Sequence, residues 1–505
     1  MKHLLLLTIF FVPLYCEAAE VNYFGEFEKL YIHKLNPPED NGLRLMIAAC
    51  GPRILEQAAL AESVLWEEMP THEWGKHWFE NQWKPLCEHL SIDPYKKPVF
   101  YDSLGYFGWS YFRNKDNENS GDPDGQILYN RLIAAPWKAE DHPDVAEWLK
   151  DRNAVLDYFG HCVRKPNYVS WRQPAETMYS ILLPDVQAKR AFARDLRVRV
   201  TYRLGLGDVE GAWYDVMSML TLARKHYKND PISVIVLVGA AIEQQGYDAA
   251  KILVKRGDLT KEQLLRFAEE LEALPHSNSF FDRMLTERSM VFDGLQWFNR
   301  DRKAIYELFD FKDHDIILKV GDKPINQEIA RNRILKLHEE CKPERITFEE
   351  MFANRLFRRQ YFENLSNKVA EVKDALWKQS QEESNFTQEE TFSQMVADWA
   401  FVTVTHDLVP MDRIYNNCDS WFVLLKIAMA LELYKHDHGD YPATLESLLF
   451  EYLEEVPVDP STSRATISYQ KEAEKEGKKF LLYSYGPNQK DDGGKDDLAD
   501  GDIVF

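Results

Sequence analysis

From about residue 40 to residue 400, apolar residues recur three and four apart, with few glycines inside the runs and polar breaks between them. That period predicts a succession of amphipathic helices. The clearest follows the turn at Gly205 to Asp208: Val209, Ala212, Trp213, Val216, Met217, Leu220 and Ala223 fall on one face, and Asp208 is placed to cap the first turn. The preceding segment carries Phe192, Leu196, Val200 and Leu204 at four-residue steps, so the two predict an antiparallel pair. A second pair runs from Ile232 to Arg256, breaks at Gly257 and Asp258, and resumes after Thr260, which forms a capping-box sequence with Gln263; Pro275 stops it. Two tandem hairpins suggest a tetratricopeptide-like stack, but no period recurs three times, and a non-repetitive helical domain is the expectation. The charged stretch 348–381 predicts long exposed or bundle-forming helix.

The character changes after about Pro410. A helix is expected from Asp419 to Tyr434, then a turn at His438, Gly439 and Asp440, then a short helix. Strand-like Ile467 to Tyr469 and Phe480 to Tyr485 follow, joined by the charged loop Lys471 to Lys479, which reads as an antiparallel hairpin. The expected fold class is therefore mainly α: a large helical domain over 19–410, in one or two subdomains, and a small α+β domain over 411–505.

The first eighteen residues change the picture of where the chain works. Lys2 and His3, an apolar run from Leu4 to Tyr15 and small residues at Ala18 and Ala19 form a secretory signal pattern, too short to span a bilayer. An exported, periplasmic or cell-surface protein is expected, with no transmembrane segment once the leader is removed. The bulky Tyr15 before Cys16 argues against a lipid anchor there. Cys50, Cys87, Cys162, Cys341 and Cys418 remain, an odd set without a CxxC pair, so at most two disulfides form and all five can equally be buried thiols. The 505 residues carry 45% hydrophobic and 28% charged side chains, as a folded chain of two or three domains would. A formal charge of -21 repels nucleic acid and anionic lipid, which sets nucleic-acid binding aside.

Between the helix ending at Tyr434 and the chain's end lies an ordered set of features: Asp437, Gly439, Tyr441 and Pro442; Leu445 and Leu448; Pro457, Asp459 and Pro460; the hairpin; Ser484 to Asn488; Gly493 and Gly494; Asp502 and Ile503. In that order they resemble the globular domain of the major pseudopilin of type II secretion systems. The resemblance implies a calcium ion in the last loop, with Asn488, Asp497 and Asp502 corresponding best to its ligands. The loop's own chemistry agrees: Asn488, Asp491, Asp492, Asp497, Asp500 and Asp502, with Asp496, crowd hard oxygen donors together, and Gly493, Gly494 and Gly501 let the backbone fold around a centre. Without a cation these carboxylates repel one another, so metal binding and loop folding should be coupled. The competing reading is a frayed acidic tail. The segment from Asp491 to Asp500 is also longer and more acidic than the family pattern. No apolar helix of about twenty residues adjoins the domain, so polymerisation as a pilin is not expected. The larger part resembles exported bacterial proteins of no established activity that carry the same terminal domain. That likeness rests on Ile92 to Pro94, Phe100 to Phe107, Pro136, Trp137, His142, Pro143 and the Gly205 to Ala212 turn.

Catalytic constellations are not legible. His72, Glu73 and His77 imitate a zinc-protease motif, but histidines five apart diverge by about 140° on a helix. The loop 113–126 has an EF-hand rhythm with Ile127 where a bidentate Glu belongs. His436 and His438, with Asp437 and Asp440, offer a transition-metal alternative at a helix end. Thirteen tryptophans, among them Trp66, Trp74, Trp78, Trp83 and Trp109, offer stacking platforms for sugars, but at helical spacing aromatic residues are more often core. The leading expectation is a non-enzymatic envelope protein with a helical interaction domain and a calcium-stabilised terminal domain, meeting envelope or secretion-system proteins. An exported hydrolase or carbohydrate-binding protein with its site among the helices is the alternative.

Overall fold

The computed structural model describes residues 41–50, 80, 83–89, 92–93, 95–99, 126–166, 168, 186–229, 232–274, 280–300, 325–343, 345–380, 389–462, 465–471, 480–496 and 501–505. The signal pattern, the EF-hand-like loop, the His72 to His77 motif, Phe100 to Phe107, and Asp497 and Asp500 lie outside these residues. The described chain is mainly helical. In order come α1 (Gly42–Cys50), α2 (Lys84–His89), α3 (Gln126–Ala134), α4 (Pro143–Val163), α5 (Val186–Gly205), α6 (Val209–Asn229), α7 (Ser233–Lys255) and α8 (Lys261–Glu272). They are followed by α9 (Phe280–Arg300), α10 (Gln327–Glu340), α11 (Phe348–Ala353), α12 (Arg355–Ser380) and α13 (Glu389–His438).

The expected hairpin of α5 and α6 forms, and its turn has a steric cause. Gly207 sits at φ +79, and the Gly211 amide donates to Asp208 Oδ1 at 2.9 Å, the cap the sequence predicts. A Cβ on Gly205 would meet the Trp137 carbonyl oxygen at 1.8 Å, so glycine there admits the segment carrying Trp137. Trp137 is held in turn through its indole N–H to Thr201 Oγ1, 3.2 Å. The capping box of α8 also forms, with Gln263 N–H to Thr260 Oγ1 at 3.2 Å and Thr260 N–H to Gln263 Oε1 at 3.0 Å. The charged stretch after Phe348 is two helices. Asn354 leaves the helical conformation at φ -104, ψ 117, and its Oδ1 accepts from the amides of Leu356 and Phe357, ending α11 and opening α12.

The helix expected from Asp419 is instead the last two fifths of α13, which runs unbroken from Glu389 through Pro410 to His438. At about 1.5 Å per residue it is roughly 75 Å long. Its N-terminal half places Phe392, Met395, Val396, Ala400 and Phe401 in the second of two cores, with α9 to α12. Its C-terminal half places Leu424, Leu425, Ile427, Ala428 and Leu431 in the first core, with α4 to α8. The spine thus crosses the expected domain boundary. Among the described residues no helix is long and apolar enough to cross a membrane.

Charge lies inside the first core. Arg199 Nη2 and Asp215 Oδ1 meet at 2.6 Å with exposures of 1% and 0%, and Arg224 meets Glu243 at 2.7 Å. Tyr247 joins the latter pair, its hydroxyl donating to Glu243 Oε1 at 3.0 Å and accepting from Arg224 at 3.1 Å. The five described cysteines are all buried thiols. Burial pushes the Cys162 thiol up to about 12, so it stays protonated at neutral pH.

The C-terminal module begins where Gly439, at φ +81, closes α13 by donating its amide to Lys435 O at 2.8 Å. After a short 3-10 turn at Leu445–Leu448 come β1 (Ser468–Gln470), β2 (Leu481–Ser484) and β3 (Ile503–Val504). β1 pairs antiparallel with β2 (Tyr469 opposite Leu482), and β2 with β3 (Ser484 opposite Ile503). The hairpin is the expected one; the third strand goes beyond it. Ile467, Leu482, Ile503 and Phe505 belong to the same core as α4 to α8. Lys251 on α7 ties the chain end down by donating to Val504 O at 2.6 Å. Among the described residues, the apolar side chains of this module pack into the core of the helical body.

Candidate functional site

The last loop is built around Asp502, which is 0% exposed. Its Oδ2 accepts the Gly494 amide at 2.7 Å and its Oδ1 accepts the Asp492 amide at 3.4 Å, while its own amide donates to Lys495 O at 3.0 Å. Gly493 and Gly494, at φ +71 and +80, turn the backbone so that these amides face inward. A Cβ on Gly494 would sit 2.8 Å from the Leu481 side chain. Gly486, at φ +62, passes so close to the Gly501 carbonyl that a Cβ would lie 1.9 Å from its oxygen. The two chain passes therefore lock edge to edge.

The other expected ligands are engaged with one another and with the backbone. Asp491 Oδ1 accepts from Tyr483 Oη at 2.8 Å and from the Gly493 amide at 2.9 Å. Asn488 donates through Nδ2 to Asp492 Oδ2 at 2.7 Å and accepts the Lys490 amide at 2.8 Å. Asp496 bridges to Asp502 through the backbone and lies 3.9 Å from Lys251. Burial raises the pKa of Asp502; the amides of Gly494 and Asp492 oppose that, and the Asp492 and Asp491 carboxylates add to it. Tyr483 is pushed up to about 12 by burial and then by Asp491. The structure thus brings Asn488, Asp491, Asp492 and Asp502 into one loop. Their oxygens turn to amides and hydroxyls, and among the described residues no three acidic, His or Cys side chains converge as a metal cage would.

The alternative metal turn at the end of α13 is dispersed. His436 Nε2 bonds Leu259 O at 2.7 Å, Asp437 pairs with Lys261, and Asp440 pairs with Lys471 at 2.8 Å. These groups fasten α13 to α8 and to the hairpin. Of the tryptophans named as sugar platforms, Trp83 is core at 1% exposure, and the other four lie outside the described residues.

Sequence reasoning did not reach His338. It borders a cavity of about 60 Å³ in the second core, with Phe352, Tyr361 and Phe401 and, from α9, Glu287 and Arg288. His338 Nδ1 is 2.7 Å from Tyr361 Oη, and its ring stands edge-on to Phe401, 5.1 Å between centroids. Burial, then the Arg288 charge, pushes its pKa down to about 4, so the ring is neutral at pH 7. Glu287 is the one carboxylate among the described residues lining this cavity, whereas two-carboxylate hydrolysis needs a pair. A histidine on a charged helix gives no sequence signal of such a setting.

Neither a family model, a curated protein nor a solved structure matches this chain.

Proposed function

We propose that the chain is an exported, non-enzymatic protein of the cell envelope. In this reading a helical interaction body carries a pseudopilin-like module whose last loop is stabilised by calcium, and the protein meets envelope or secretion-system components without entering a filament. The observation that carries the proposal is the setting of Asp502. A fully buried carboxylate receives two backbone amides and no Lys or Arg partner among the described residues, with Asp491 and Asp492 raising its pKa further. A divalent cation is the chemistry that offsets such crowding, and oxygen-only donors select calcium over a softer metal. Asp497 and Asp500 supply the remaining carboxylates of the proposed set, with Asn488, Asp491 and Asp492.

The reading as a non-filament protein is supported by α13. Pilin assembly needs a free apolar stalk, whereas α13 is packed into two cores along its length. The test is thermal unfolding of the full chain in calcium and then in chelator. At a hundred times Kd, linkage adds about 2.7 kcal/mol, which for a chain of this size raises Tm by roughly 2–3 °C. Superimposable curves would end the calcium reading.

A further inference from the structure

A second concavity lies where α12 and α13 meet the C-terminal module, and it is distinct in chemistry from the apolar cavity at His338. It is an open groove of about 280 Å³, lined by Arg359, Phe362, Arg413, Asn417, Ser461 and Pro487, among others. Arg359 spans it, pairing through Nε with Glu363 at 3.1 Å and donating through Nη1 to Ser461 O at 2.9 Å. Beneath it, the polar groups of the module are satisfied. Ser461 Oγ lies 2.9 Å from Ser484 Oγ, Ser484 donates to Asp459 Oδ1 at 2.7 Å, and Asp459 also accepts the amides of Ser461 and Tyr485.

Asn417 is the exception. It is only 8% exposed, and its Oδ1 is buried with no hydrogen-bond donor among the described residues. A buried amide oxygen left unpaired costs about 1–3 kcal/mol, and this one belongs to a residue that lines the groove, where a ligand hydroxyl can reach it.

We infer that this groove binds a monosaccharide-sized hydroxylated anion, such as a sugar acid or a sugar phosphate. Among the described residues lining the groove there are two guanidinium groups, Arg359 and Arg413, and one carboxylate, Glu363, on a chain whose net charge is -21, so the groove is a local focus for an anion. The Asn417 amide both donates and accepts, as ring hydroxyls require of their partners. Phe362 and Pro487 provide apolar wall for a ring face. The volume lies just below the roughly 300–1,000 Å³ typical of small-molecule sites, which limits the ligand to about one sugar ring. A ligand seated there touches both the α12–α13 pair and the terminal module.

The test is calorimetric titration of the full chain with glucuronate, glucose 6-phosphate, glucose and inorganic phosphate, each with calcium and with chelator. Glucuronate or glucose 6-phosphate should bind with Kd below about 1 mM, the tighter of the two identifying the anionic group, and glucose and phosphate should bind at least roughly tenfold more weakly. Asn417→Ala and Arg413→Gln should each weaken the preferred anion by roughly tenfold, and Asn417→Ala should leave Tm unchanged or higher because it removes an unpaired group. Absence of binding by both anions, equal binding of glucose or phosphate, or undiminished binding by both variants would overturn the assignment. Because the titrations are run in calcium and in chelator, failure of the calcium reading leaves this result standing.

Discussion

Glu243→Gln is expected to destabilise the protein far beyond what the loss of one hydrogen bond would cost. Glu243 is 1% exposed on α7 and sits 2.7 Å from the Arg224 guanidinium of α6, with Tyr247 bridging both. At that separation and an effective dielectric of about 20, the attraction is about 6 kcal/mol, set against the cost of removing both charges from water. Burial lowers the Arg224 pKa, but Glu243 and Tyr247 more than offset it, so the guanidinium stays charged when its partner is neutralised. The amide keeps the volume and the Tyr247 contact but leaves that charge buried, for a cost of about 3–5 kcal/mol. The paired replacement Arg224→Met with Glu243→Leu removes both charges and should fall within about 1 kcal/mol of wild type or exceed it. Urea unfolding followed by circular dichroism, with midpoints converted through a common slope, measures both. A single variant costing under about 1 kcal/mol, or a double variant as unstable as the single, would refute the argument that charge, not volume, is at stake.

Three further outcomes follow from other sites. Gly205→Ala forces a Cβ onto the Trp137 carbonyl and should cost about 1–3 kcal/mol in the same assay, whereas Gly207→Asn at its φ +79 should cost well under 1. His338 is neutral in the fold and protonated in the unfolded chain below its ordinary pKa. Its contribution is therefore full above pH 6.5 and is lost progressively as pH falls to about 4, by up to about 3 kcal/mol. His338→Phe should flatten that window in urea melts at stepped pH, and an unchanged slope would contradict it. Asp502 has its pKa raised, so its ionised form opposes folding above that pKa and the penalty is relieved as pH falls through it. Asp502→Asn should accordingly reduce the acid-side gain in stability measured in chelator.

The parts of the fold legible from sequence were those set by local chemistry. Asp208 after Gly207, the Thr260 and Gln263 box, and the paired strands around Leu482 each follow from residue types at fixed offsets. What escaped depends on partners distant in sequence. Asp195, Arg197 and Arg199 of α5 are charged yet all buried, Arg199 against Asp215 of α6. Pro410 and the polar residues before Asp419 read as a boundary, but cores on both sides hold α13 continuous. β3 is too short for a periodic signal and is defined by its register on β2. Asn417 and His338 owe their settings to helices far away in the chain, so no motif marks them.

The most direct measurement of the account is hydrogen exchange on the full chain, with calcium and with chelator, read over 488–496 and 501–505. Calcium should slow exchange in these two segments, including the amides that Asp502 holds, and leave the helices of the first core unchanged. Equal exchange across both segments in the two conditions would contradict a cation-closed terminal loop.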